Sequence, residues 1–298
     1  MQTFKIGTTN YKWINTFISL FNYNCKEIHL EYGDYLNERC DLIIDDMYFD
    51  WSSCKDYSKV ILNEVNKIPY KTKFCIISPE PHAFPIKDYS VECPNNLFQY
   101  TLDNYYTISH FIDSKTNCFY PYIMNEIGKL PHQVIRNNKD KFCAIISSTP
   151  SIHRTRFIDL LNTYKQVDVY GRINNNYIPE DNINNIMSQY KFTLAIENSK
   201  SIENEFYITE KIVKSFCWGG VPIYYGSDYV KEIFDEKSFI NCNNLSNEEI
   251  LNKIIEIDND DQLYNEMLNT QPLLDLDIQN KFNNKLYEFI KNILLNNI

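Results

Sequence analysis

Glycine is scarce, with seven among 298 residues. Positions needing positive φ or close backbone approach are therefore few, and four of the seven fall between Gly171 and Gly226. Basic charge is also in deficit: 29 Lys and Arg face 39 Asp and Glu, for a net charge of -10 and a pI near 5.1. That balance disfavours a nucleic-acid partner, which calls for a basic surface. The nine cysteines form no CxxC or Cys/His spacing, so no zinc site is indicated. Cys75, Cys143 and Cys217 lie in apolar runs and read as small buried hydrophobes, which suits a reducing compartment. Long hydrophobic runs are missing. Trp13–Tyr23 is broken by Asn15, Thr16, Ser19 and Asn22, and falls short of the ~20 apolar residues that cross a bilayer. No signal peptide or transmembrane segment is read, so the expected location is cytoplasmic or peripheral to a membrane. No repeat of fixed period occurs.

What is present is a chain able to bury a sizeable core, 44% hydrophobic and rich in Tyr and Phe spread along its length. Its organising stretch is Phe192–Gly226. Phe192–Ile196 reads as a buried parallel strand, followed by a polar loop from Glu197 to Tyr207. Thr209 opens a helix over Glu210–Trp218, Gly219-Gly220 stops it, and Val221–Tyr225 is the next strand. Such a βαβ unit places ligands beyond the carboxyl ends of its strands. Asn198, Tyr207, Glu210 and Lys211 lie there, and a helix start with Lys in its first turn attracts anions. The same residues also suit a plain crossover helix with a solvated Glu and Lys.

Ahead of this unit, strands are expected at Phe4–Thr8, Glu27–Glu31, Asp41–Asp45 and Lys73–Ile77, with helices near Lys12–Phe21 and Lys59–Asn66. Phe98–Phe111 reads as short strands, and the polar stretch Lys129–Lys141 as a linker. A second alternation begins with strand Phe142–Ser147, helix Ile152–Tyr164, strand Val167–Tyr170 and a short helix Ile183–Tyr190. After Gly226 come a helical turn at Tyr229–Phe234, a strand at Phe239–Asn241, a helix Glu248–Ile257 capped by Ser246 and Glu249, and a closing helix Ile278–Leu295. The pattern is α/β, two Rossmann-like domains over residues 1–135 and 136–298.

Glu-Asn-Ser at 197–199, Tyr-Ile-Thr-Glu-Lys at 207–211 and the Gly-Val-Pro-Ile strand resemble the donor motif of glycosyltransferase family 10, the α1,3/α1,4-fucosyltransferases. So does the run from Ser147 through Arg154 to Val167-Asp168-Val169-Tyr170-Gly171. The resemblance is specific over about Phe142–Ile240 and faint over residues 1–130. It implies a GT-B fold, with the two domains facing a cleft and a closing C-terminal helix. It also implies an inverting fucosyltransferase that moves L-fucose from GDP-fucose to a sugar hydroxyl of an oligosaccharide or glycoconjugate acceptor. The N-terminal half would bind the acceptor and the C-terminal half the donor. Animal members carry an N-terminal anchor, so this chain reads as a soluble bacterial- or viral-type enzyme or a trimmed piece.

Transfer from a nucleotide diphosphate requires a stabilised leaving group, a base for the acceptor hydroxyl and exclusion of water. Arg154, in a helix's first turn, and Lys211 are the expected cations on the diphosphate. Arg156 would face elsewhere. The resemblance assigns Glu210 to the donor sugar and ribose, and Asn198 and Tyr207 to the donor site lining, with Glu197 a further possible contact. Glu80, held between Pro79 and Pro81, is the expected catalytic base, with His82 the runner-up on chemistry. No metal or cofactor is required, because two cations and a helix dipole suffice. Asp258-Asn259-Asp260-Asp261 looks like a metal-binding Asp-x-Asp but reads as a solvated turn, and Asp45-Asp46 is equally weak. Two alternatives remain: a GT-B transferase using another nucleotide sugar, and a non-catalytic glycan- or nucleotide-binding relative.

Overall fold

A computed structural model describes residues 1–8, 11–34, 39–46, 73–77, 105–109, 117–131, 139–148, 150–198 and 206–295. The chain divides into two compact units: Met1–Tyr122 with Asn280–Ile298, and Ile123–Gln279. The first unit contains β1 (Gln2–Gly7), α1 (Tyr11–Asn24), β2 (Ile28–Tyr32), β3 (Leu42–Asp46), β4 (Lys73–Ile77), β5 (Tyr105–Ser109) and β6 (Asn117–Phe119). The second contains β7 (Lys141–Ile146), α2 (Ile152–Asn162), β8 (Val167–Tyr170), α3 (Ile183–Met187), β9 (Tyr190–Ile196) and α4 (Glu210–Cys217). It continues with β10 (Val221–Tyr225), β11 (Ile240–Asn241), α5 (Asn247–Asn259) and α6 (Asp261–Asn269), before α7 (Ile278–Leu294).

The first sheet runs β2-β1-β3-β4-β5-β6 with every pairing parallel. Its core takes Ile14, Ile18 and Phe21 from α1. It also takes Leu286, Tyr287, Ile290, Ile293 and Leu294 from α7, residues spaced as one stripe of a helix. The ring of Tyr287 meets Phe21 edge-on at 5.5 Å. The closing helix thus belongs mainly to the first unit, whereas the sequence reading set a single boundary at residue 135.

The second sheet runs β11-β10-β9-β7-β8, again wholly parallel. Taken from β7 onward, this is the 2-1-3-4-5 doubly wound order, whose reversal falls between β7 and β9. Ligands in this order bind at the reversal, outside the carboxyl ends of the two strands. The central strand β9 is buried on both faces from Phe192 to Ile196, where Thr193 is the one polar residue in an otherwise apolar run. Cys143, Ile145, Phe192, Leu194, Val221 and Ile223 are among the sheet residues of one core.

The expected strands Lys73–Ile77, Val167–Tyr170 and Val221–Tyr225 fall at those bounds. The Ser246–Glu249 capping box forms at the start of α5. Elsewhere the fold corrects the sequence reading. The helix begun at Ile183 ends at Met187, because Tyr190 already opens β9. The helical turn expected at Tyr229–Phe234 is a 3₁₀ helix at Asp228–Glu232. Helix α6 was not expected at all; Asp260 starts it by accepting the N–H groups of Gln262 and Leu263. Asp258 is likewise not solvated. It is buried, 2.5 Å from Lys165 and 2.8 Å from Lys191, and accepts the Tyr164 hydroxyl at 3.0 Å. Burial opposes its ionisation, but the hydrogen bonds from Lys165 and Lys191 outweigh this and hold its carboxyl below the usual range. The acid-rich run is therefore a helix junction. The expected helix Lys59–Asn66 and residues 132–138 of the expected linker lie outside the described residues.

Candidate active site at the carboxyl ends of β7 and β9

The site begins where β7 runs out. Ser151 caps α2, its Oγ accepting the Arg154 N–H at 3.2 Å, which sets Arg154 in the first turn. The Arg154 side chain lies back over the end of the sheet and is only 5% exposed. Its Nη1 donates to Ser147 Oγ at 2.9 Å, just past β7. Its Nη2 donates to the Ile196 carbonyl at 3.3 Å, the last residue of β9, and to Asn198 Oδ1. One guanidinium therefore spans the strand reversal. Burial lowers its pKa from the ordinary value, with Glu197, Tyr207 and Glu210 opposing the shift; an arginine so placed keeps its charge at neutral pH.

Gly171 supports this arrangement from behind. Its φ is +99°, and a Cβ there would lie 2.3 Å from the Ser147 carbonyl oxygen. Only glycine lets the chain leave β8 so close to the residue that holds Arg154.

Beyond β9, Glu197 is 1% exposed. Its Oε1 accepts the Thr209 N–H at 2.8 Å, and its Oε2 accepts the Thr209 hydroxyl at 2.7 Å. The Lys211 ammonium lies 3.2 Å from the same Oε2. Glu197 thus joins the end of β9 to the start of α4 across a separation of twelve residues. Thr209 occupies the N-cap, but its hydroxyl serves Glu197 and Lys211 rather than the helix N–H groups. Lys211 Nζ donates to Thr209 Oγ1 at 2.8 Å and lies 3.6 Å from Glu210. Burial disfavours ionised Glu210, but Lys211 and Lys214 reverse the effect and hold its carboxyl below the usual range. Tyr207 is 1% exposed beneath the helix start, and Asn198 is exposed at the mouth of the loop.

Five of the expected donor residues, Arg154, Asn198, Tyr207, Glu210 and Lys211, thus gather at one end of one sheet. Arg156 turns away, as expected: its Nε donates to Asn247 Oδ1 at 2.8 Å, at the start of α5. Glu80 and His82 lie outside the described residues, as do residues 199–205 of the loop. Sequence reasoning missed Ser147 and Thr209, and gave Glu197 only a direct-contact role. A usable signal was there: Glu197 directly follows the apolar triplet Leu194-Ala195-Ile196 of a buried strand and precedes a Thr-Glu-Lys helix start. Among the described residues, no three His, Cys, Asp or Glu side chains cluster as metal ligands would. No helix among them is long and apolar enough to cross a membrane.

Comparison with known proteins matches residues 135–288 to the family model described as glycosyltransferase family 10 (fucosyltransferase), C-terminal part. The chain is 30% identical over 190 residues to a putative fucosyltransferase, R654, of Acanthamoeba polyphaga mimivirus, covering 58% of this chain and 30% of that protein. It is 34% identical over 166 residues to the alpha-(1,3)-fucosyltransferase FucT of Helicobacter pylori, covering 53% and 34%. The chain thus spans about a third of the length of these curated relatives. The crystal structure of an alpha1,3-fucosyltransferase with GDP-fucose superposes with a TM-score of 0.66 at 20% identity, over 99% of this chain and 91% of that one. Its two parallel α/β sheets accordingly form a GT-B fold. With a family model covering more than half of its residues, the chain belongs to glycosyltransferase family 10, the fucosyltransferases.

Proposed function

We propose that this protein is an inverting fucosyltransferase, moving L-fucose from GDP-β-L-fucose to a sugar hydroxyl of an oligosaccharide or glycoconjugate. The expected linkage is α1,3 to N-acetylglucosamine or glucose. One observation carries the reading: Arg154 and Lys211, each in the first turn of a helix, are both held by residues 196–198 at the strand reversal. A departing diphosphate gains negative charge as the sugar bond breaks. Two cations and two helix starts fixed in advance stabilise that charge without reorganising during the reaction.

In this reading the β-phosphate lies between Arg154 and Lys211. Glu210, kept ionised by its lysine neighbours, accepts hydrogen bonds from donor hydroxyls. Asn198 and Tyr207 line the donor's approach. Glu80 removes the acceptor's proton as that oxygen attacks C1 of fucose from the face opposite GDP, so β-linked donor gives α-linked product. No metal is called for, since fixed protein charges do the work a divalent ion does elsewhere.

The test is direct. Calorimetric titration with GDP, UDP and ADP should show selective binding of GDP, and labelled GDP-fucose should transfer to a lactosamine-type acceptor as an α-linkage. Preference for UDP would refute the donor assignment. Glu80→Gln should abolish turnover while leaving GDP affinity intact; turnover surviving in that variant would remove Glu80 as the base.

A further inference from the structure

We propose that Glu197 is a positioning residue that aims the Lys211 ammonium at the leaving phosphate and never touches the donor itself. The inference rests on the donor reading above and adds a residue to it.

A carboxylate that is 1% exposed is costly unless its oxygens are matched by hydrogen bonds and a counter-charge. Both oxygens of Glu197 are matched, by hydrogen bonds from Thr209 and by the Lys211 ammonium. Oε1 holds the backbone N–H at the N-cap of α4. Oε2 holds the Thr209 hydroxyl and the Lys211 ammonium together, while Lys211 also donates to that hydroxyl at 2.8 Å. Glu197, Thr209 and Lys211 thus close a three-membered ring of polar contacts. A lysine has a flexible four-carbon stem and would otherwise sample many positions. Here its head group is held by Glu197 and Thr209, with Glu210 farther off at 3.6 Å, and its side chain is only 19% exposed.

The neighbouring residues hold the other cation. Ile196 and Asn198 bind Arg154 while Glu197 binds Lys211, so three consecutive residues at the end of β9 fix both charges. The space for Glu197 is made by Gly226, where a Cβ would lie 2.5 Å from the Glu197 Cγ. The Tyr224 hydroxyl lies about as close, 2.6 Å from that Cβ, so the glycine makes room for both side chains.

Charge and geometry make opposite predictions, and that separates this role from simple charge balance. Removing the negative charge of Glu197 leaves the site more positive and so favours the ground-state diphosphate. Losing the ring lets Lys211 wander from the position it must hold as the bond breaks. Glu197→Gln keeps size and the acceptor for the Thr209 N–H but puts an amide donor or neutral oxygen where Lys211 was anchored. We expect kcat to fall on the order of 10²-fold, the usual consequence of misplacing a catalytic group by about 1 Å. The donor KM should stay within about threefold, since ground-state binding is not what the ring supplies. Glu197→Asp, which keeps the charge, should recover part of the loss.

A double-mutant cycle with Lys211→Ala decides the matter. If Glu197 acts through Lys211, Glu197→Gln costs less than about twofold in kcat once Lys211 is absent. The same fractional loss in both backgrounds, or no loss beside intact Lys211, overturns the proposal. Thr209→Val removes the third member of the ring with little change of shape, and should reproduce the phenotype if Glu197→Gln fails to fold. The cycle is also read on GDP affinity by calorimetry. GDP carries on its terminal phosphate the charge the leaving group gains, so coupling of Glu197 to Lys211 should appear in GDP affinity although donor KM stays flat; absence of fucosyl transfer by the unaltered chain would then refute the donor reading alone.

Discussion

Replacing Gly171 by alanine tests the architecture of the site without touching a charged residue. Two costs arise together. The backbone holds φ at +99°, a region that a residue with a side chain occupies at a cost of roughly 1–3 kcal/mol. The new Cβ would also sit 2.3 Å from the Ser147 carbonyl oxygen, where 3.0 Å is the practical floor. Relief requires the two backbones to separate by about 0.7 Å. Overpacking of this kind costs about 1–3 kcal/mol more, so a loss near 3 kcal/mol in all is reasonable. Such a loss lowers Tm by roughly 6–12 °C in a unit of this size. The functional effect follows from what Ser147 holds. Its Oγ accepts from Arg154 at 2.9 Å, and a shift of about 0.7 Å breaks that bond or drags the guanidinium with it. A fall of at least tenfold in kcat/KM is expected. Scanning fluorimetry measures the first effect, and initial-rate kinetics with GDP-fucose measures the second at a temperature where the variant is folded. A variant that melts within 2 °C of the unaltered protein and keeps full activity would refute the reasoning on both counts.

Other expectations are more direct. Lys211→Ala should cost on the order of 3–4 kcal/mol of transition-state stabilisation, seen as a fall of 10²–10³ in kcat, and near-normal turnover would remove Lys211 from the mechanism. Arg156→Gln should change kcat by less than about threefold, because that guanidinium engages Asn247 at the start of α5; a loss as large as that of Arg154→Ala would mean the two arginines have been assigned the wrong way round. Asp258→Asn should destabilise the second unit by about 3 kcal/mol at neutral pH, read from chemical denaturation, by stranding Lys165 and Lys191. The sign with pH follows from its depressed carboxyl pKa. Its contribution is fully present above the unfolded value near 3.9 and is lost as pH falls through the lower folded value, so the variant should show a shallower acid limb. An unchanged acid limb would contradict that assignment.

Much of this was readable in the sequence, for identifiable reasons. Val167–Tyr170 alternates around Asp168 and Val221–Tyr225 is an apolar run; both are bounded by polar residues or glycine, and such strands announce their own ends. The placement of Arg154, Glu210 and Lys211 in helix first turns was readable because helix starts following strands have a recognisable signature, while their assignment to a donor came from the family resemblance. What stayed hidden depended on contacts between residues far apart in the chain. The bond from Glu197 to Thr209 crosses a loop, and that from Ser147 to Arg154 depends on how α2 leaves the sheet. Neither partner is written in the local pattern. Asp258 and Asp260 were misread for the same reason. An acidic run is a turn by composition, yet here one carboxylate is buried between two lysines and another starts a helix. The return of α7 to the first unit was invisible too, since its apolar stripe says only that it is buried, not against what.

The central claim is that a guanine nucleotide's two phosphates rest at the starts of α2 and α4 between Arg154 and Lys211. A crystal structure of the protein with GDP tests it most directly. The account predicts β-phosphate oxygens within about 3 Å of both the Arg154 guanidinium and the Lys211 ammonium, with Glu197 still bound to Thr209 and clear of the ligand. A nucleotide seated elsewhere, or bound there with those two side chains turned away, would contradict it.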